Sequence, residues 1–208
     1  LGSSVAADPR GAVYSEVPNG ELMIDRCALW DLIYEHLSYF TPISLAVALG
    51  RAGLSVDRVS TMFDDQFLAI ESRPVAEPAD GPSPEAIETM VARAVAFGDE
   101  ARKRIDGARE ELSRLRTTGP VALWGAGSKG MTYLNLVAPD GGISAVVDVN
   151  PRKAGCGVPG VPAVIVGPDE LVSLDPSTVL VANPIYIPEI GQALRGLGVE
   201  AELLPLWD

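Results

Sequence analysis

The stretch VALWGAGSKGMTYLN, residues 121–135, constrains the fold more than any other part of the chain. Four apolar residues run straight into Gly125, Gly127 and Gly130, after which apolar residues return at helical spacing. This G-x-G-x-x-G spacing lets a strand turn sharply into a helix packed against it, and the exposed backbone N–H groups at the helix start attract an anion. Asp148 follows Gly130 by 18 residues, close to the position of the acid that holds a ribose in dinucleotide sites. Three readings stay open at this point: an NAD(P) site, a site for another phosphate or nucleotide, and a turn whose glycines serve packing alone.

Downstream, strand-like ISAVVDV, AVIV, TVLVA and AELLPL alternate with helical segments at about 128–137, PDELVSL and IPEIGQALRGLG. Short apolar strands separated by helices predict a parallel sheet covered on both faces, a small Rossmann-like domain over 119–208. Upstream, Ser83-Pro84-Glu85 opens a helix in which Ile87, Met90, Val91, Ala94, Ala101, Ile105, Ala108, Leu112 and Leu115 recur every three or four residues. The pattern predicts one long amphipathic helix running to Gly119-Pro120, with Gly98 and Gly107 as places for a bend. Residues 77–118 are thus a linker and this helix, beginning within the Pro- and acid-rich RPVAEPADGPSP.

The first 76 residues form another lobe. AVYSEVPNG reads as a buried, parallel-type strand stopped by Pro18. TPISLAVALGRAGL reads as a helix capped by Thr41 with Pro42 at its first position. SVDRVSTMF and QFLAIES read as a hairpin turning at Asp64-Asp65. The fold class is α/β, and this order of strand, helix and antiparallel hairpin is that in which class I methyltransferase sheets end.

With 47% hydrophobic and 21% charged residues the chain has the material of a globular protein. A formal charge of -12 repels phosphate backbones and anionic lipid, which argues against nucleic acid or membrane partners. Cys27 and Cys156 are too isolated for a zinc cluster or disulfide framework, so a reducing, cytoplasmic setting is expected and no metal site. No apolar run approaches the roughly 18 residues of a membrane span.

VVDVNPRKAGCGVPG, residues 146–160, together with the glycine turn, resembles the C-terminal domain of sugar C-methyltransferases. That family's pattern is matched at Gly125, Ala126, Lys129, Gly130, Asp148, Asn150, Pro151, Lys153, Gly155, Pro159 and Gly160. EVPN at 16–19 and WDLIYEHLSYFTPISL at 30–45 extend the resemblance, with Glu35, His36, Tyr39 and Phe40 in register. Tyr34 stands where the family often has a further histidine, and Ile33 where it has tyrosine.

The resemblance implies a SAM-dependent enzyme that methylates the ring carbon of a nucleotide-linked 4-keto deoxysugar, a chemistry of antibiotic biosynthesis. A base removes the acidified C3 proton and the enolate carbon takes the methyl group. His36, the only histidine, suits the base because imidazole titrates near neutral pH. Glu35 would hold it, and Tyr34 or Tyr39 could donate to the oxyanion. Asn19, Gly125, Lys129, Asp148 and Asn183 are the expected substrate-binding residues, with Lys129 facing the diphosphate.

The family's zinc-binding domain and its glycine turn for S-adenosylmethionine have no counterpart in this chain. The chain, which begins at Leu1 rather than Met, therefore reads as the C-terminal part of a longer enzyme, inactive alone, with any zinc in the missing N-terminal domain. The sequence leaves the oligomeric state open. Two alternatives remain, an NAD(P)-dependent oxidoreductase and a non-catalytic nucleotide-sugar-binding module.

Overall fold

A computed structural model describes residues 11–33, 35–75 and 81–207. They divide into two compact units, residues 11–29 with Glu35–Glu100, and residues 30–33 with 101–207. The architecture is mixed α/β, with an antiparallel three-stranded sheet in the first unit and a parallel five-stranded sheet in the second.

In the first unit β1 (Val13–Pro18), α1 (Gly20–Arg26), α2 (Pro42–Arg51), β2 (Leu54–Met62) and β3 (Phe67–Pro74) follow in order. The sheet order is β1-β3-β2, and β3 is antiparallel to both neighbours. As the central strand, β3 buries Leu68, Ala69, Ile70 and Ser72. Leu68 and Ile70 pack with Leu54 and with Leu45 and Leu49 of α2. Thr41 starts α2 by a capping box: its hydroxyl accepts from Ser44 N–H at 3.2 Å and its own N–H donates to Ser44 Oγ at 2.9 Å.

Two details differ from the sequence expectation. β1 pairs antiparallel and alternates half-buried with exposed positions, so only one of its faces is covered. Helix α1 was not foreseen, because Pro18-Asn19-Gly20 also reads as a simple turn. Asn19 ends the strand and caps the helix at once, its Oδ1 accepting from the N–H groups of Glu21 and Leu22.

α3 (Pro84–Leu115) is a single 32-residue helix, opened by Ser83 Oγ accepting from Ala86 N–H. Gly98 and Gly107 both lie inside it without ending it. Arg93 pairs with Glu21 and Asp25 of α1 at 2.6 and 2.5 Å, and Ala101, Leu112 and Leu115 are buried. The helix stops at Leu115, where the hydroxyls of Thr117 and Thr118 donate to the carbonyls of Arg114 and Leu115.

The second unit continues with β4 (Val121–Trp124), α4 (Ser128–Val137), β5 (Ala145–Val147), β6 (Ile165–Val166), α5 (Glu170–Leu174), β7 (Thr178–Val181), α6 (Ile187–Leu197) and β8 (Glu202–Pro205). All its strands are parallel, in the order β6-β5-β4-β7-β8. Successive β4 residues serve opposite faces. Val121 and Leu123 pack with Leu112, Leu115 and Leu134 of α3 and α4, whereas Ala122 and Trp124 pack with Leu171, Ile190 and Leu194 of α5 and α6. Two helical layers therefore sandwich the sheet, which explains why its strands are apolar throughout. Among the described residues no helix is long and apolar enough to cross a membrane.

Leu123 is fully buried at the centre of this sandwich. Leu123→Ala is expected to cost about 2–5 kcal/mol, read as a fall in the urea midpoint.

Candidate functional site

Chain order moves outward from β4 in both directions, to β5 and β6 on one side and to β7 and β8 on the other. The C-terminal ends of β4, β5 and β7 therefore open on a crevice of the kind that holds ligands in open parallel sheets. A cavity of about 830 Å³ lies there. Gly125, Lys129, Asp148 and Asn183 all line it, so the structure brings together the second-lobe residues that the sequence singles out. Trp30, Asp31 and Tyr186 line it too, and sequence reading did not assign them a role. The available signal was the WD pair that opens the resemblance at residue 30.

The three glycines do different work. Gly125 has φ +114°, and a Cβ there would lie 2.8 Å from the Ala182 Cβ at the end of β7. A Cβ on Gly130 would run into the Gly125 carbonyl oxygen, so this glycine allows α4 to sit against the end of β4. Gly127 is extended, at φ -99° and ψ -173°, with open space around it. Packing thus demands the first and third glycines and is indifferent to the middle one.

Asp148 is committed to the fold. Its Oδ2 accepts from Ala126 N–H at 3.0 Å and from Lys153 Nζ at 2.8 Å, and its Oδ1 accepts from Asn150 N–H at 2.9 Å. Lys153 also donates to the Ala126 carbonyl at 2.9 Å. A ribose acid needs its oxygens available to hydroxyls, and a pyrophosphate turn needs its N–H groups. Here Asp148 consumes the Ala126 N–H and sets a negative charge against the turn, an arrangement unfavourable to a dinucleotide. Burial of the Asp148 carboxyl opposes its ionisation, but the hydrogen bonds from Lys153, Asn150 and Ala126 and the Lys153 charge outweigh it and hold the group below the usual carboxylate range.

Around the crevice, the Lys129 ammonium lies 5.8 Å from the centre of the Trp30 ring, within cation–π range. Thr132 Oγ1 of α4 donates to the Leu32 carbonyl at 3.2 Å and so secures the segment that carries Trp30. The Asn183 side chain accepts from Ile185 N–H at 3.5 Å, at the head of a 3-10 turn.

Asn19, Glu35, His36 and Tyr39 belong to the first unit. His36 and Tyr39 are half-buried and stand edge-on, with ring centroids 5.7 Å apart. Glu35 is exposed, and no described residue makes a hydrogen bond to its carboxylate or to the His36 imidazole. Tyr34 lies outside the described residues. The segment is anchored at its far end, where Phe40 bridges to Asn19 and its carbonyl accepts from Gly20 N–H at 2.8 Å. Both polar groups of the Asn19 side chain are engaged, Oδ1 in capping α1 and Nδ2 in donating to the Asp65 carbonyl at 2.9 Å. Among the described residues no three His, Cys, Asp or Glu side chains gather as a metal site requires.

Residues 86–200 match the family model of the C-methyltransferase C-terminal domain. The chain belongs to that family. No curated protein matches it.

Two outcomes follow from the geometry of the turn. Gly130→Ala should unfold at a clearly lower temperature, whereas Gly127→Ser should be neutral or slightly stabilising because serine is a better N-cap in open space. Asp148 stabilises the fold by its depressed ionisation. That contribution is complete above the unfolded carboxylate range near about pH 4 and is lost as the pH falls through the lower folded value. Asp148→Asn should therefore lower the urea midpoint at pH 7 and flatten its decline below about pH 4.

Proposed function

We propose that the chain is the C-terminal part of a SAM-dependent C-methyltransferase whose acceptor is a nucleotide-linked 4-keto deoxysugar. The match to the C-methyltransferase C-terminal domain carries this reading, joined to the Glu-His segment. The sheet order supports the finer fold assignment. β1 and β2, each antiparallel to β3, run in one direction with the last strand inserted between them. That fits the closing strands of a class I methyltransferase sheet, with the domain divisions 1–76, 77–118 and 119–208.

In this reading His36 takes the C3 proton of the acceptor, with the 4-keto oxygen receiving the electron pair as an enolate. Glu35 supports the imidazolium, and Tyr39 or Tyr34 donates to the enolate oxygen. The enolate carbon is then the nucleophile for the methyl group. The half-buried His36, with its ring 5.7 Å from that of Tyr39, supports this reading by placing an imidazole beside one of the proposed donors.

The donor is proposed to bind away from the second-lobe glycine turn. The strand, glycine turn and helix unit of the second lobe has its acid occupied by Ala126, Lys153 and Asn150. That occupied acid supports placing the S-adenosylmethionine site largely outside this chain. The second-lobe crevice is proposed for the nucleotide side of the acceptor. Lys129 offers charge to the diphosphate, Gly125 and Asn183 line the crevice, and Asp148 acts by fixing the turn. The cytoplasm is the proposed location.

His36→Gln in the intact enzyme should reduce methyl transfer by about 10²–10⁴-fold, the range for loss of a general base, with an unchanged melting temperature. An unchanged rate would remove His36 as the base.

A further inference from the structure

The crevice at the ends of β4, β5 and β7 is built by the second unit alone, since every residue lining it falls within 30–33 or 101–207. Its volume of about 830 Å³ is that of a small-molecule site, and its walls are largely apolar, from Trp30, Trp124, Val181 and Ile190. Two N–H groups of the glycine turn are spent inside the fold. Gly125 N–H donates to the Val147 carbonyl at 2.8 Å and Ala126 N–H to Asp148 at 3.0 Å. What the crevice selects is therefore decided largely by the side chains around it.

The charges there are unevenly placed. Lys129, the single basic side chain lining the crevice, stands on α4, whereas Glu189 stands on α6. α4 packs on one face of the sheet and α6 on the other, so the ammonium and the carboxylate flank the crevice from opposite sides. Just before Glu189, the 3-10 turn Pro184–Tyr186 brings Tyr186 to the crevice with its side chain 50% exposed. An exposed aromatic ring at a concave site is a platform on which a nucleobase stacks.

A nucleoside diphosphate has the same asymmetry. Its diphosphate is anionic, whereas its base and ribose are neutral and carry N–H and O–H donors. Lys129 attracts the diphosphate and Glu189 repels it, while the donors of base and ribose hydrogen-bond well to a carboxylate. We propose that the acceptor's nucleotide lies across β4 and β7 in one orientation, its diphosphate at Lys129 and its nucleoside at α6, where Tyr186 stacks on the base and Glu189 accepts from base or ribose. The inference rests on the reading of the crevice as the nucleotide site. Tyr186 and Glu189 are then what separates a nucleotide from any other diphosphate, and the sugar, joined through the diphosphate, lies at the Lys129 end.

The test is calorimetric titration of the chain with dTDP as probe and inorganic pyrophosphate as control, for wild type, Tyr186→Ala, Glu189→Gln and Lys129→Gln. All three side chains are exposed, so melting temperatures should stay near wild type. Wild type should bind dTDP at least about tenfold more tightly than pyrophosphate, and Tyr186→Ala and Lys129→Gln should each weaken dTDP about tenfold. Glu189→Gln should weaken dTDP about threefold, whereas a nucleotide bound the other way round would bind this variant more tightly than wild type, because a repulsion is removed. That tightening, or an unchanged affinity in Tyr186→Ala, with dTDP still bound by wild type, would overturn the orientation and leave the nucleotide site standing. No binding of dTDP by wild type, or pyrophosphate matching dTDP, would overturn the nucleotide reading of the crevice and the orientation with it.

Discussion

The hydrogen bonds that Asp148 accepts from Ala126 and Lys153 govern what the second unit can be. By holding the turn after β4 to the end of β5, this carboxylate closes the strand-to-helix junction on itself. The same geometry that would prepare a dinucleotide site is here used up by the protein. Gly125 and Gly130 are needed because Ala182 and the Gly125 carbonyl approach too closely for a side chain. The spacing that looks like a cofactor signature is, at two of its three positions, a packing requirement.

A comparable economy operates in the first unit at Asn19. One side chain ends β1, starts α1 and holds the hairpin tip, while its backbone bridges to Phe40. A residue so fully engaged positions other groups and has little left to offer a ligand directly. With both polar groups of its side chain engaged, the expected contact of Asn19 with substrate stays a proposal.

Periodicity made much of the fold legible. The helix from Pro84, the hairpin at Asp64-Asp65, the Thr41 cap and the parallel strands of the second lobe all follow from local pattern and turn chemistry. Helix α1 escaped because Asn19-Gly20 serves a turn and a helix start equally well, and only tertiary contact with Phe40 and Gln66 decides. β1 reads as a fully buried strand from its Val and Tyr content, but its half-buried positions are Val13, Ser15 and Val17, and its described neighbour β3 is antiparallel, a pairing that sequence alone does not reveal. At the crevice, Lys129 and Asp148 stood out in the sequence. Their actual contacts with Trp30 and Lys153 could not, since those depend on how distant segments fold together.

Central to the proposed function is that this chain supplies the base that would remove the acceptor's C3 proton. The most direct measurement is hydrogen–deuterium exchange at C3 of a dTDP-linked 4-keto deoxysugar used as probe in D₂O, with the intact enzyme and no methyl donor present. Wild type should exchange that proton, and His36→Asn should not. Equal exchange by both, or exchange by neither, would contradict the account.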